Sequence, residues 1–265
     1  MSLLHLENKE TAMIIDFHTH IKLSKKTRFD RNYFEEMICE AKANGLDALA
    51  ITEHFNTLVF EEIYETLDRH YPYRYGYYEV EGVRLFPGIE VDIQETGHIL
   101  IIGDRADIAA MRSRLSGHTE EGAFIPFRGL LDLAEQYNVL KIGAHPFREG
   151  TPLHHLPEEE LRRLDAFDLN GKDLHAQGVE AYSKRVYDFA ARLGKPVVGG
   201  SDTHQHLQYG CIVNELTEAC HTVDDLRQAI LGGHYKISIS PCLDVKVKSA
   251  AQLKKLLKKE MQVAE

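Results

Sequence analysis

The chain has 265 residues, four cysteines, 31 basic against 41 acidic side chains and a formal charge of −10. At this length roughly three quarters of the unfolded surface is buried on folding, so no disulfide staples are needed. The acidic balance disfavours a broad phosphate-tracking surface for nucleic acid, and no apolar run approaches the roughly 18 residues of a membrane helix.

In chain order, residues 1–12 are polar, carry acids and read as no secretory leader; they stand outside the fold argument. A first strand is expected over 13–16. A helix follows over 31–44, where Phe34, Met37, Ile38 and Ala41 repeat at helical spacing and Gly45 ends the run. Strands are expected at 48–52, 84–91 and 98–102. The segment 55–83 has no clear assignment; its aromatic run 71–78 suits a lid over a barrel mouth or, equally, a surface hairpin.

Further strands are expected at 139–144, 166–170 and 196–200, with 236–240 as a candidate eighth. Pro157 with three glutamates after it opens a helix. Tyr182, Val186, Phe189, Ala190 and Leu193 mark another over 177–193, and Thr222 caps a third over 223–231. A tail over 249–262 sets Leu253, Leu256, Leu257 and Met261 against lysines, a helix expected to pack with its charged face solvated. Cys39, Cys211, Cys220 and Cys242 show no CxxC or zinc-finger spacing, so free thiols, buried or half buried, in a reducing compartment are expected. A cytoplasmic location follows as the expectation. Seven or eight βα repeats without a linker predict one α/β barrel over 13–240, with a basic amphipathic helix over 241–265 packed on it or trailing it.

The strand ends carry the chemistry. In the run Asp16-Phe17-His18-Thr19-His20, alternation predicts that Asp16, His18 and His20 share one face. Glu53-His54, Glu90, His145 before Pro146, and Asp202 with His204 in Ser201-Asp202-Thr203-His204 each close an apolar run. Any one of these is explained by a capped or solvated polar residue. Five at the face where barrel enzymes carry their sites point instead to a metal centre. His98 begins its strand and would face the wrong end of a parallel barrel; the turn signal Glu95-Thr96-Gly97 predicts a hairpin that returns it to the site.

These motifs, in this order from Met13 to Ile239, resemble the polymerase and histidinol phosphatase (PHP) superfamily. The resemblance implies a distorted (β/α)7 TIM-like barrel and a metal-dependent phosphoesterase. It also implies a di- or trinuclear site of Zn, Mn or Fe ions, in which a metal-activated hydroxide attacks phosphorus. One ion would take His18, His20, Glu90 and Asp202. A second would share Glu90 and add His98 and His145. A third would use His54 and His204 with an acid or imidazole from the segment after the first motif. Here that segment reads Leu23-Ser24-Lys25-Lys26, and a lysine offers a cation no lone pair, so a dinuclear site is expected unless Asp30 swings in.

Glu90, Asp202 and Arg148 are the candidate catalytic residues. Arg148 has the planar fork for a phosphate, and Lys25, Lys26 and Asn170 are further candidate substrate contacts. Asp16 is expected to orient a ligand imidazole, whereas His154, His155, His175 and His206 read as loop residues. A small phosphorylated substrate is expected, with no membrane partner. The alternatives are a 3′–5′ exonuclease on nucleic-acid ends, with the tyrosines of 71–78 stacking bases, an amidohydrolase, and a non-catalytic metal-binding regulatory module.

Overall fold

Continuous apolar strands need cover on both faces, and the amphipathic segments between them supply it on one side. The computed structural model describes residues 12–263. The first half runs β1 (Met13–Thr19), α1 (Arg31–Ala43), β2 (Ala48–Ile51), α2 (Phe60–His70), β3 (Tyr73–Arg74), β4 (Tyr77–Val80), β5 (Val83–Asp92), β6 (His98–Gly103), α3 (Arg105–Arg114) and α4 (Phe127–Ala134). The second runs β7 (Val139–Gly143), α5 (Glu158–Leu161), β8 (Ala166–Asn170), α6 (Gly171–Gln177), α7 (Val179–Leu193), β9 (Val197–Gly200), β10 (Ile212–Leu216), α8 (Val223–Leu231), β11 (Tyr235–Ile239) and α9 (Leu243–Val263). Residues 1–11 and the Met261 side chain lie outside the described part.

The sheet order is β11-β10-β1-β2-β5-β6-β7-β8-β9. The barrel is β1, β2, β5, β6, β7, β8 and β9, all parallel except β6, which runs antiparallel to both its neighbours. This is a distorted TIM-like barrel with α/β architecture. The candidate eighth strand is not part of it: β11 pairs with β10 alone, antiparallel, at the sheet edge.

Closure between β1 and β9 is indirect. Near their C-terminal ends Thr19 and Thr203 form a bridge, but lower down β10 lies against β1. There the buried Asn214 side chain replaces the ladder, donating to Ile15 O at 3.0 Å and Gly199 O at 2.8 Å and accepting from Gly199 N at 2.7 Å.

Met13, Ile15, Phe86, Leu100, Leu140, Ile142 and Val198 fill the barrel. The opposite strand faces pack on helix stripes such as Phe34, Met37, Ile38 and Ala41 of α1. Each of the larger side chains, fully buried, contributes about 1.5–3 kcal/mol. The segment 55–83 holds α2 and the β3–β4 hairpin, and β4 pairs with the first residues of β5, Val80 opposite Val83. That is the barrel end away from Glu90, where Tyr77 joins the interior cluster beside Phe86. The hairpin reading of 71–78 therefore holds, and the lid and base-stacking readings do not. Cys211 and Cys220 are buried free thiols, but Cys39 and Cys242 are exposed rather than half buried. Among the described residues no helix is long and apolar enough to cross a membrane.

Candidate metal centre

The site sits at the C-terminal ends of the parallel strands. The hairpin expected at 95–97 brings His98 there: Thr96 takes a left-handed backbone, φ 68°, and His98 pairs with Asp92. Gly97 is required at this turn because a Cβ would meet Leu153 Cδ2 at 2.5 Å and Pro152 O at 3.1 Å.

On β1 simple alternation fails. The register with β2 shifts between Asp16 and Thr19, and Phe17 packs with Met13 and Ile15 in the barrel interior. This bulge turns both Phe17 and His18 inward. Asp16 is not on the histidine face. Its carboxylate accepts from Ser201 N at 2.9 Å and His18 N at 3.1 Å, and burial pushes its pKa up to about 7 against those bonds. The group that orients an imidazole is Asp168, whose Oδ2 lies 2.9 Å from His18 Nδ1. Asn170 Nδ2 donates to the same oxygen at 3.0 Å.

Glu90 is the hub. Its Oε1 lies 2.7 Å from His98 Nδ1, 3.4 Å from His145 Nε2 and 3.5 Å from His18 Nε2. Its Oε2 lies 2.7 Å from His54 Nδ1 and 3.4 Å from His20 Nε2. Burial opposes ionisation, yet His98, His54 and His18 hold Glu90 well below the usual carboxylate range. Burial likewise opposes a charged His98, but Glu90 and Asp92 hold its pKa up to about 9. His54 is pushed down to about 4, chiefly by burial.

Asp202 faces a cationic wall. Lys172 Nζ reaches its Oδ1 and Arg148 its Oδ2, both at 2.8 Å. Those two cations with His18 hold it far below its ordinary pKa despite burial. Arg148 also contacts Asp173 at 2.6 Å and Asn170 Oδ1 at 3.0 Å. Asp202 and His145 are non-glycine residues at positive φ, 55° and 32°; backbone strain of this kind is held where the surroundings over-determine it.

Three ligand groups emerge, each with donor atoms mutually within 4.8 Å: His18, His20 and Asp202; Glu90, His98 and His145; and His20, His54 and His204. All the sequence-derived ligand candidates thus converge. The donor set also fits cations on a second ground. His18 Nε2, both nitrogens of His20, His54 Nδ1 and Glu90 Oε2 are buried without a hydrogen bond, although several face one another closely. Buried lone pairs left unmatched are costly, and a shared divalent ion satisfies them.

The PHP domain profile matches residues 16–235. The chain belongs to the PHP family. Its fold is similar to PsfC from Pseudomonas syringae PB-5123, at TM-score 0.77 and 24% identity over 92% of this chain and 98% of that one. It is similar too to endonuclease Q bound to a 27-mer duplex with an abasic lesion, at TM-score 0.63, 20% identity and 84% of this chain. The lesion-specific endonuclease Q of Pyrococcus furiosus matches at TM-score 0.61, 21% identity and 85% of this chain. This PHP chain spans 58% of the length of each endonuclease Q chain. No curated protein sequence matches it.

Around this PHP centre the remaining candidates take the following places. Asp30 caps α1, accepting from Tyr33 N at 3.0 Å, and does not swing into the site. Lys25 is ion-paired to Asp92 at 2.8 Å, while Lys26 is exposed. Asn170 is buried and caps α6 through Lys172 N. His154 and His155 bond loop carbonyls, and His206 contacts Gln205. His175 lies in α6 rather than in a loop, 2.5 Å from Asp244.

The sequence reading missed Asp92, Asp168, Lys172, Asp173 and Lys254. Asp168 and Asn170 alternate on β8 with the outward Phe167 and Leu169, so the period of two carried that signal. Lys254 carried none, because only the docking of α9 sets it beside Lys172 and His204.

Proposed function

We propose that this PHP-family chain is a hydrolase that cleaves a phosphate ester of a small molecule. The observation that carries the reading is the clustering of five imidazoles within 2.7–3.5 Å of Glu90 at buried strand ends. His18, His20, Glu90 and Asp202 would hold one divalent ion, and Glu90, His98 and His145 a second, of zinc, manganese or iron. The trio His20, His54 and His204 offers a weaker third position, since Lys25 brings no ligand and is held by Asp92. Ions held there supply an activated water nucleophile and stabilise negative charge on the phosphoryl oxygens.

The chain's own groups do the positioning. Arg148 presents a cationic fork beside Asp202, where phosphoryl oxygens would accept from it. Asp168 fixes the tautomer of His18 by taking its Nδ1–H, leaving Nε2 as the donor atom. Burial keeps His54 and, with Arg148 close by, His145 neutral, the state that can ligate. We assign the barrel to 13–240 and treat 241–265 as an appended helix.

The test is hydrolysis of an aryl phosphomonoester and its diester analogue with Mn²⁺ or chelator, beside His18→Ala. Chelator-sensitive monoester cleavage lost in the variant is the expected result. Exclusive diester cleavage would favour the nucleic-acid reading. No cleavage of either ester by fully metallated protein would overturn the proposal in favour of a non-catalytic module.

A further inference from the structure

The stripe by which α9 docks is only partly the one that its leucines mark. Leu243, Val247 and Ala250 are buried, whereas Leu256 is 57% exposed. Positions 243, 247 and 250 continue at helical spacing to 254, so the next place in the docking stripe is filled by Lys254. It lines a cavity of about 100 Å³ together with Lys172, His204, Gln205, Gln208, Val247 and Ala250.

Among the described residues Lys254 has no hydrogen bond and no ion pair. Lys172 and Lys258 repel it, and the attraction comes from Asp202, whose two oxygens are already taken by Lys172 and Arg148, and from Glu53, which forms no ion pair with it. A half-buried ammonium without a paired counter-charge is costly. A lysine at a docking position also displaces an apolar side chain that would have packed there. Neither cost brings a gain in stability, but both are offset if an anion enters. Gln205 Oε1 accepts from Leu207 N and Gln208 Nε2 donates to Ser201 O, and neither side chain hydrogen-bonds the ammonium.

We infer that Lys254 and Lys172 form a receptor for a second anionic group of the substrate, a phosphate or carboxylate set apart from the scissile phosphate. The inference rests on the phosphoesterase reading and narrows its substrate class to esters carrying two separated anions. The metal centre and Arg148 would take the scissile phosphoryl group, while α9 reads the far end of the molecule. Lys254 is then a specificity-determining residue, not a catalytic one.

Non-hydrolysable phosphonates test this without turnover. Calorimetry on the Mn²⁺-loaded full chain compares propylphosphonate with 3-phosphonopropionate and with propane-1,3-diphosphonate. Each of the latter two adds an anion at the far end. The wild type is expected to bind at least one of them about tenfold more tightly than propylphosphonate, the scale of one charge-assisted hydrogen bond. Which one gains tells carboxylate from phosphate. In Lys254→Met, which keeps the length of the stem, that ratio should fall to about one, and Lys254→Arg should restore most of it. A wild type without preference, or a preference unchanged in Lys254→Met, overturns the inference. Absence of aryl phosphate hydrolysis by the wild type would overturn the phosphoesterase reading instead.

Discussion

Asp168 Oδ2 sits 2.9 Å from His18 Nδ1, both fully buried, on strands that lie apart in the sheet order. A carboxylate at this place fixes both the tautomer and the ring angle of the imidazole. Groups in such positions typically contribute 10–100-fold to metal affinity. Asp168→Ala should therefore weaken metal binding by about that factor while the barrel stays folded. Metal titration followed by calorimetry, with circular dichroism as the control for folding, checks it.

Gly200 stands directly behind this pair. A Cβ there would come within 2.5 Å of both His18 Cβ and Asp168 Oδ1, and neither has room to retreat. Gly200→Ala is expected to displace His18 and to cost metal content as well as stability, roughly 1–3 kcal/mol for overpacking. Metal analysis with urea unfolding reads both. A variant with normal metal content would show that β9 can shift away.

Asn214 makes the barrel closure testable. Asn214→Leu keeps the branched shape but strands Ile15 O and both backbone groups of Gly199. Each stranded group costs about 1–3 kcal/mol, so a loss of several kcal/mol in urea unfolding of the metal-free protein is expected. A loss below about 1 kcal/mol would mean that the backbone groups find other partners.

The capping box of α8 gives a pH dependence away from the site. Burial opposes the charge on Asp225, but bonds from His221 N and Thr222 N together hold its pKa below the usual value. A depressed carboxylate stabilises the fold above its unfolded pKa, and that contribution fades as pH falls through the folded value. Asp225→Ala should cost about 1 kcal/mol near neutrality and progressively less in acid. Urea midpoints at neutral pH and below pH ~3 compare the two regimes.

Much of this architecture was legible in the chain because it is periodic. The helix stripe of α1, the two-residue alternation of β8 and the turn at 95–97 each obey a local rule. What was not legible depended on non-local choices. The bulge on β1 reversed the expected partners of Asp16 and Phe17, since its cause is the pairing with β2 and not the sequence of β1. Helix α2 escaped notice because its N-cap, Val59, lies in left-handed backbone and makes no side-chain cap. The position of the tyrosine hairpin at the far end followed from which half of β5 it paired with. In the sequence Lys254 is one more lysine of a basic tail, and only the docking of α9 sets it beside Lys172 and His204.

The central claim is that Glu90 joins at least two ions in one buried centre, and metal stoichiometry tests it most directly. Protein loaded with Mn²⁺ and then freed of excess metal should retain two or more ions per chain by mass spectrometry. Glu90→Gln should retain at most one with its fold intact. A wild type that holds no ion, or a Glu90→Gln protein with undiminished stoichiometry, would contradict the assignment of this centre.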